Sequence, residues 1–229
     1  MTKPAFVPRF ALSLLLPVLG LGAIAATVAL TPDSAQAADP KSTAPVSVDE
    51  LLSGFAKMPG LYAEFRQESH FGLLAAPLID TGTIHFADGR LARRTLDPTP
   101  SVVVMDDAGI EYGDAESQQR IDLDGKPAVR QFVEAFTKIF AGDRAGLEAL
   151  YRIQFQAGEG RSWTMTLVPK VSPMDQIIAK VEVTGTELEI AKMRVVETSG
   201  DETTTFFAKV DTARKYSKDE KKRLFSVAL

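Results

Sequence analysis

"WTMTLVPKVSPMDQIIAKVEV", residues 163–183, alternates apolar and polar side chains, breaks at Pro169 and Pro173, and then alternates again. Trp163, Met165 and Leu167 share one face of an extended chain, with Thr164, Thr166 and Val168 on the other. The spacing predicts two β-strands joined by a loop, and nothing in the stretch resembles a catalytic motif.

The same period of two continues in both directions. Upstream it predicts strands at 61–70, 79–87, 90–97, 101–106, 109–113 and 118–123, and downstream at 151–157, 161–169, 177–184, 187–197 and 202–210. Gly72, Pro77, Asp88-Gly89, Pro98, Pro100, Gly109 and Gly113 supply the early breaks. Strands joined by turns this short pair antiparallel with their neighbours.

Two segments depart from that period. Ser47-Val48-Asp49-Glu50 is an S-x-x-E capping box, followed by Leu51, Leu52 and Phe55 at helical spacing, and Pro59-Gly60 ends the helix. Between the strand runs, Val129, Phe132, Val133, Phe136, Ile139 and Phe140 fall on one helical face. Gly142 closes this second helix, and Asp143 to Leu150 adds a further turn or two. The fold class is α+β, a long antiparallel sheet with helices on one side. A sheet of about 11 strands does not stay flat, so it curls toward a barrel whose concave face the helices cover.

The chain opens with Lys3 and Arg9, the apolar run Phe10–Leu30, and the small-residue site Ala35-Gln36-Ala37, the order of a cleaved secretory signal over residues 1–37. "ADPKSTAPV", 38–46, reads as a disordered leader, and 47–229 as a single domain. About 190 residues remain after cleavage, enough for one core without staples. There is no cysteine among the 229 residues, which excludes disulfides, thiolate metal sites and a lipidated cysteine anchor. The formal net charge is −4, one unit more negative once Lys3, Arg9 and Asp33 are removed. That balance disfavours nucleic acid. The basic residues Arg214, Lys215, Lys218, Lys221, Lys222 and Arg223 read as a solvated terminal segment, with a docking patch for an anionic surface as the other reading.

Chemistry-bearing motifs are sparse. His70 and His85 lack the spacing of a metal site, and no metal or cofactor is expected. No G-x-S-x-G, Walker loop or G-x-G-x-x-G occurs. Large apolar residues occupy both phases of some strands, as Val102, Val103 and Val104 do in "SVVVMD" and Phe206-Phe207 in "TTTFF". Either both faces of the sheet are covered, or its inner surface accepts an apolar guest.

The order of these segments resembles the outer-membrane lipoprotein carrier family. "LLSGFAKMPGLYAEFRQES" is similar to the family's first helix and strand, with its A-x-F-x-Q element at Ala63 to Gln67. "GTIHFADGRLARRTLDPTPSVVVMDDAGIEY", "WTMTLVPK" with L-x-P-K, and "IIAKVEVTGTELEIAKMRVVETSGDETTTFF" follow in the family's order. The resemblance implies an unclosed antiparallel β-barrel of about 11 strands with a helical lid over an apolar cavity. It also implies a periplasmic carrier, taking acylated lipoprotein or lipid from an inner-membrane releasing complex to an outer-membrane acceptor. Such a carrier is expected to be a monomer and not an enzyme.

The family's basic residue, proline and aromatic after the second strand are replaced here by Ala87-Asp88-Gly89-Arg90-Leu91, which marks a divergent branch. The expected cavity lining is Phe65, Ile84, Phe86, Leu91, Val102, Val104, Trp163, Met165 and Leu167, under a lid of Phe132, Phe136, Ile139 and Phe140. Arg90, Arg93 and Arg94 are the candidate contacts to cargo or partner. A non-catalytic docking module on the same fold, with a patch around these arginines, and an enzyme using His85 with Asp80 or Thr83 are the alternatives.

Overall fold

The computed structural model describes residues 46–228. The expected signal segment and most of the expected leader lie outside them. Val46, assigned above to the leader, is buried in the core beside Leu51.

Ser47 begins helix α1 (Val48–Lys57), its hydroxyl accepting from the Glu50 amide at 3.1 Å. Six strands follow: β1 (Leu61–His70), β2 (Leu78–Ala87), β3 (Arg90–Asp97), β4 (Ser101–Asp106), β5 (Gly109–Asp114) and β6 (Gln118–Asp122). The β2–β3 connection is the two-residue turn Asp88-Gly89, both at positive φ (50° and 74°), the conformation that the twist of a hairpin favours. Helices α2 (Pro127–Ala141) and α3 (Arg144–Leu150) interrupt the sheet. Strands β7 (Tyr151–Ala157), β8 (Ser162–Pro169), β9 (Ile178–Thr186), β10 (Glu189–Glu197) and β11 (Glu202–Asp211) complete it, and helix α4 (Lys218–Leu224) is the last element among the described residues.

All eleven strands form one antiparallel sheet in the order β6-β5-β4-β3-β2-β1-β11-β10-β9-β8-β7. The pairing of β1 with β11 joins the two runs, while β6 and β7 remain as free edges, so the barrel is curled but unclosed. Residues directly opposite one another on paired strands share a face. One face carries Phe65, Phe86, Leu91, Met105, Met165 and Val183, and helices α1 to α3 cover it. α2 bridges its two halves. Val129 and Val133 pack on Val103, Met105 and Ile110, and Ala135 and Ile139 pack with Leu52, Phe55 and Trp163.

The opposite face is bare over β7 but capped over β3 and β4. There Phe225, Leu224, Tyr216 and Val227, on and around α4, pack on Ala87, Ala92, Val102 and Val104. The basic terminal segment is therefore a helix that closes a second, smaller core. Its start carries the same S-x-x-E signature as α1 and completes the capping box, with Ser217 and Glu220 bonding reciprocally.

Candidate functional site

The helix-covered face holds most of the residues singled out from sequence. Trp163, Met165 and Leu167 are at most 4% exposed and pack with Phe55, Leu51 and Leu52 of α1. The Trp163 Nε1–H donates to the Glu187 carbonyl at 2.8 Å, which satisfies the indole's polar end. Phe65, Ile84, Phe86 and Leu91 share this face through the pairs Ala63–Ile84, Phe65–Gly82 and Phe86–Leu91. Gly82 is required there. A Cβ on it would lie 2.0 Å from the Arg94 carbonyl oxygen and 2.8 Å from the Phe65 ring.

Above these strands the α2 phenylalanines close an aromatic cluster. The Phe86 and Phe140 rings lie 4.2 Å apart, Phe136 and Phe140 4.7 Å, and Phe86 and Phe136 5.9 Å in an edge-on arrangement. Phe55 of α1 joins at 6.0 Å from Phe140. Phe132, Phe136, Ile139 and Phe140 are half-buried, whereas Val129 and Val133 of the same helix are fully buried. The lid candidates therefore fill the face they cover. Two clefts of about 390 and 410 Å³ lie elsewhere, one by Glu50, Gly54 and Leu188, the other by Phe71, Pro77 and Gly200.

Val102 and Val104 are not part of this face. They are 0% and 2% exposed beneath α4, and Val103 and Met105 take the inward phase of β4. Both faces of β4 are covered, so the alternation that reveals phase in a half-buried strand is missing.

The three arginines separate in the same way. Arg94 donates from Nη1 to the carbonyls of Leu224 and Ser226 at 3.4 and 3.3 Å, and Arg90 donates from Nη2 to Phe225 at 3.1 Å. These two cap the C-terminal end of α4, where a cation complements the helix dipole. Arg93 points the other way. It is 6% exposed on the helix-covered face, 4.3 Å above the Phe65 ring. No single patch contains all three.

His85 is buried on the α4 side. Its Nε2 lies 3.0 Å from the Thr83 hydroxyl and its Nδ1 3.1 Å from the Tyr216 hydroxyl. Tyr216 donates to the Leu61 carbonyl at 2.7 Å, so Nδ1 carries the proton it offers to Tyr216, and Nε2 accepts from Thr83. Burial, assisted by Arg94 and Arg214, lowers the His85 pKa to about 4, keeping the ring neutral. Asp80 occupies the other face, so it does not join His85 and Thr83 in one constellation. Among the described residues, no group of three histidines or carboxylates is gathered to hold a metal ion.

Residues 37–224 match the family described as outer membrane lipoprotein carrier protein LolA-like. No curated protein matches the chain. Among solved structures, the chain is similar to a LolA superfamily protein from Nitrosomonas europaea (8% identity, 76% of this chain and 96% of that one, TM-score 0.40). It is also similar to a putative outer membrane lipoprotein-sorting protein domain from Vibrio parahaemolyticus (9% identity, 75% and 93%, TM-score 0.41). A third likeness is to the MucA/MucB complex structure from Pseudomonas aeruginosa (15% identity, 75% and 59%, TM-score 0.45). On the match across residues 37–224, the chain belongs to the LolA-like family of outer membrane lipoprotein carrier proteins.

Proposed function

We propose that this protein is a periplasmic carrier that holds the acyl chains of a lipoprotein or lipid against the helix-covered face of its sheet, with α2 as a movable lid. The observation that carries the reading is the aromatic cluster of Phe86, Phe136 and Phe140, in which a half-buried helical face substitutes for a guest. Burying a methylene is worth about 0.8 kcal/mol, so a sixteen-carbon chain represents on the order of 12 kcal/mol of gross transfer free energy. Held at that strength, the cargo would not leave. Separating Phe136 and Phe140 from Phe86 and Phe55 costs part of the gain and makes release feasible, because the empty state recovers the same contacts. No covalent step is needed, and the reading assigns no catalytic residue.

Family membership supports the acylated cargo, an inner-membrane releasing complex and an outer-membrane acceptor as partners, and the small-residue site Ala35-Gln36-Ala37 supports export through cleavage near Ala37. Native mass spectrometry of protein taken from the periplasm, followed by lipid extraction, tests the reading. Bound mass that extracts as acyl lipid is the expected result. Protein that stays at its bare mass when offered acylated peptide or lipid would end the proposal.

A further inference from the structure

The inward residues of the central strands change character along their length. Near the Asp88-Gly89 turn they are apolar, Phe65, Phe86 and Leu91 among them. Toward the opposite end of the same strands they become Gln67, Ser69, Asp80, Arg93, Thr95 and Thr205, all between 0% and 6% exposed. A polar island inside the surface proposed to carry hydrocarbon is costly, because apolar residues of similar size would satisfy the fold as well.

The island is also slack. Arg93 Nη1 donates to the Thr95 hydroxyl at 2.8 Å, but its Nη2 stands 3.5 Å from Gln67 Oε1 and 3.9 Å from Asp80 Oδ2. The Gln67–Ser69, Thr203–Ser69 and Thr205–Gln67 bonds are all between 3.3 and 3.4 Å. Asp80 Oδ2 is buried and accepts no hydrogen bond. A guanidinium presents five N–H donors in a fixed fork, and a carboxylate oxygen accepts two bonds. Both groups are therefore set to bond something further.

We infer that Arg93 and Asp80 form a subsite for the neutral polar linkage of a lipid, Arg93 donating to an ester or amide carbonyl and Asp80 accepting from a hydroxyl or amide N–H. The inference rests on the carrier reading and deepens it. Asp80 and Phe86 are six residues apart on β2, about 20 Å of strand, the scale of an extended long acyl chain. With the linkage at Arg93, the hydrocarbon runs toward Phe86, Phe136 and Phe140. The headgroup then emerges at the end of the sheet where the 71–77 loop lies. A phosphate would place a second negative charge beside Asp80, whereas an uncharged ester or amide leaves the Arg93–Asp80 pair balanced.

Trp163, the chain's one tryptophan, sits in the core of this face and reports occupancy by fluorescence. The delipidated protein is titrated with monodecanoylglycerol, 1-chlorodecane, methyl decanoate and decyl phosphate. The glyceride is expected to bind at least about tenfold more tightly than the chloroalkane, the value of a single charge-assisted hydrogen bond. Arg93→Met should bring these two within about twofold, and Asp80→Asn should remove the glyceride's advantage over the methyl ester, which has no hydroxyl. If Arg93→Met fails to fold, Asp80→Asn, which conserves shape, decides. Unchanged preferences in the variants, no preference in the wild type, or tighter binding of decyl phosphate would overturn the subsite. Wild-type protein that binds none of the four ligands would take the carrier reading down with it.

Discussion

His85 and Asp80 stand five residues apart on β2, hence on opposite faces of the sheet, and burial acts on them with opposite sign. The imidazole is held neutral with its pKa down near 4, so the unfolded chain takes up a proton first as pH falls. Its contribution to stability is full above about pH 6.5 and is lost between there and pH 4. The Asp80 carboxyl is pushed up to about 6 by burial, against the pull of Arg93. Its contribution is present below about pH 4 and is lost as pH rises through 6. Each slope approaches 1 kcal/mol per pH unit, roughly, and the two oppose one another in the same window. Urea denaturation from pH 4 to 7 should therefore show a nearly flat wild type and an Asp80→Asn variant that weakens steadily toward acid. At Gly82 the added methyl of Gly82→Ala meets backbone, so a loss of about 2 kcal/mol or more is expected in the same assay. Little of this was legible beforehand. A sequence shows that Arg93 is charged but not that β3 turns it inward over Phe65, and Val102 and Val104 look like Val103 until the element that covers them is known.

Strands announce themselves through alternation, and the elements here follow it closely. β1, β3, β4 and β7 begin and end where the period of two predicts. Helices α1 and α2 were equally readable, one from its capping box and the other from six apolar residues on one face. α4 was not. Its charges suggested a solvated tail, yet Ser217-x-x-Glu220 is the same cap that marked Ser47, and the residues that anchor the segment, Tyr216, Phe225 and Val227, flank the helix instead of striping it. Phe225→Ala should cost about 3 kcal/mol by leaving a hole over Val102 and Val104, with no change in the lipid retained. α2 should behave in the opposite way. With no native cysteine to interfere, Thr137→Cys on the exposed side of α2 and Gln154→Cys on β7 can carry spin labels. Pulsed electron resonance is expected to show their separation lengthen when acyl lipid is added and return when it is extracted.

Across the whole molecule the single sheet serves as the common wall of two cores, and the walls differ in thickness. From β2 to β5 it lies between α2 inside and the α4 segment outside, with Val102 and Val104 sealed on the outer side and Val103 and Met105 on the inner. Over β7 only the inner side is packed, and Arg152, Gln154 and Gln156 stand exposed on the other. Tyr216 pins the strap to β1 through the Leu61 carbonyl, so the buttress stops at the seam between the two strand runs. The mechanical consequence is a molecule with one stiff shell and one pliant shell, hinged at β1 and β11. Amide deuteration should advance slowly through β3 and β4 and quickly along β7, and when a guest enters, the shell that yields to make room will be the unbuttressed one.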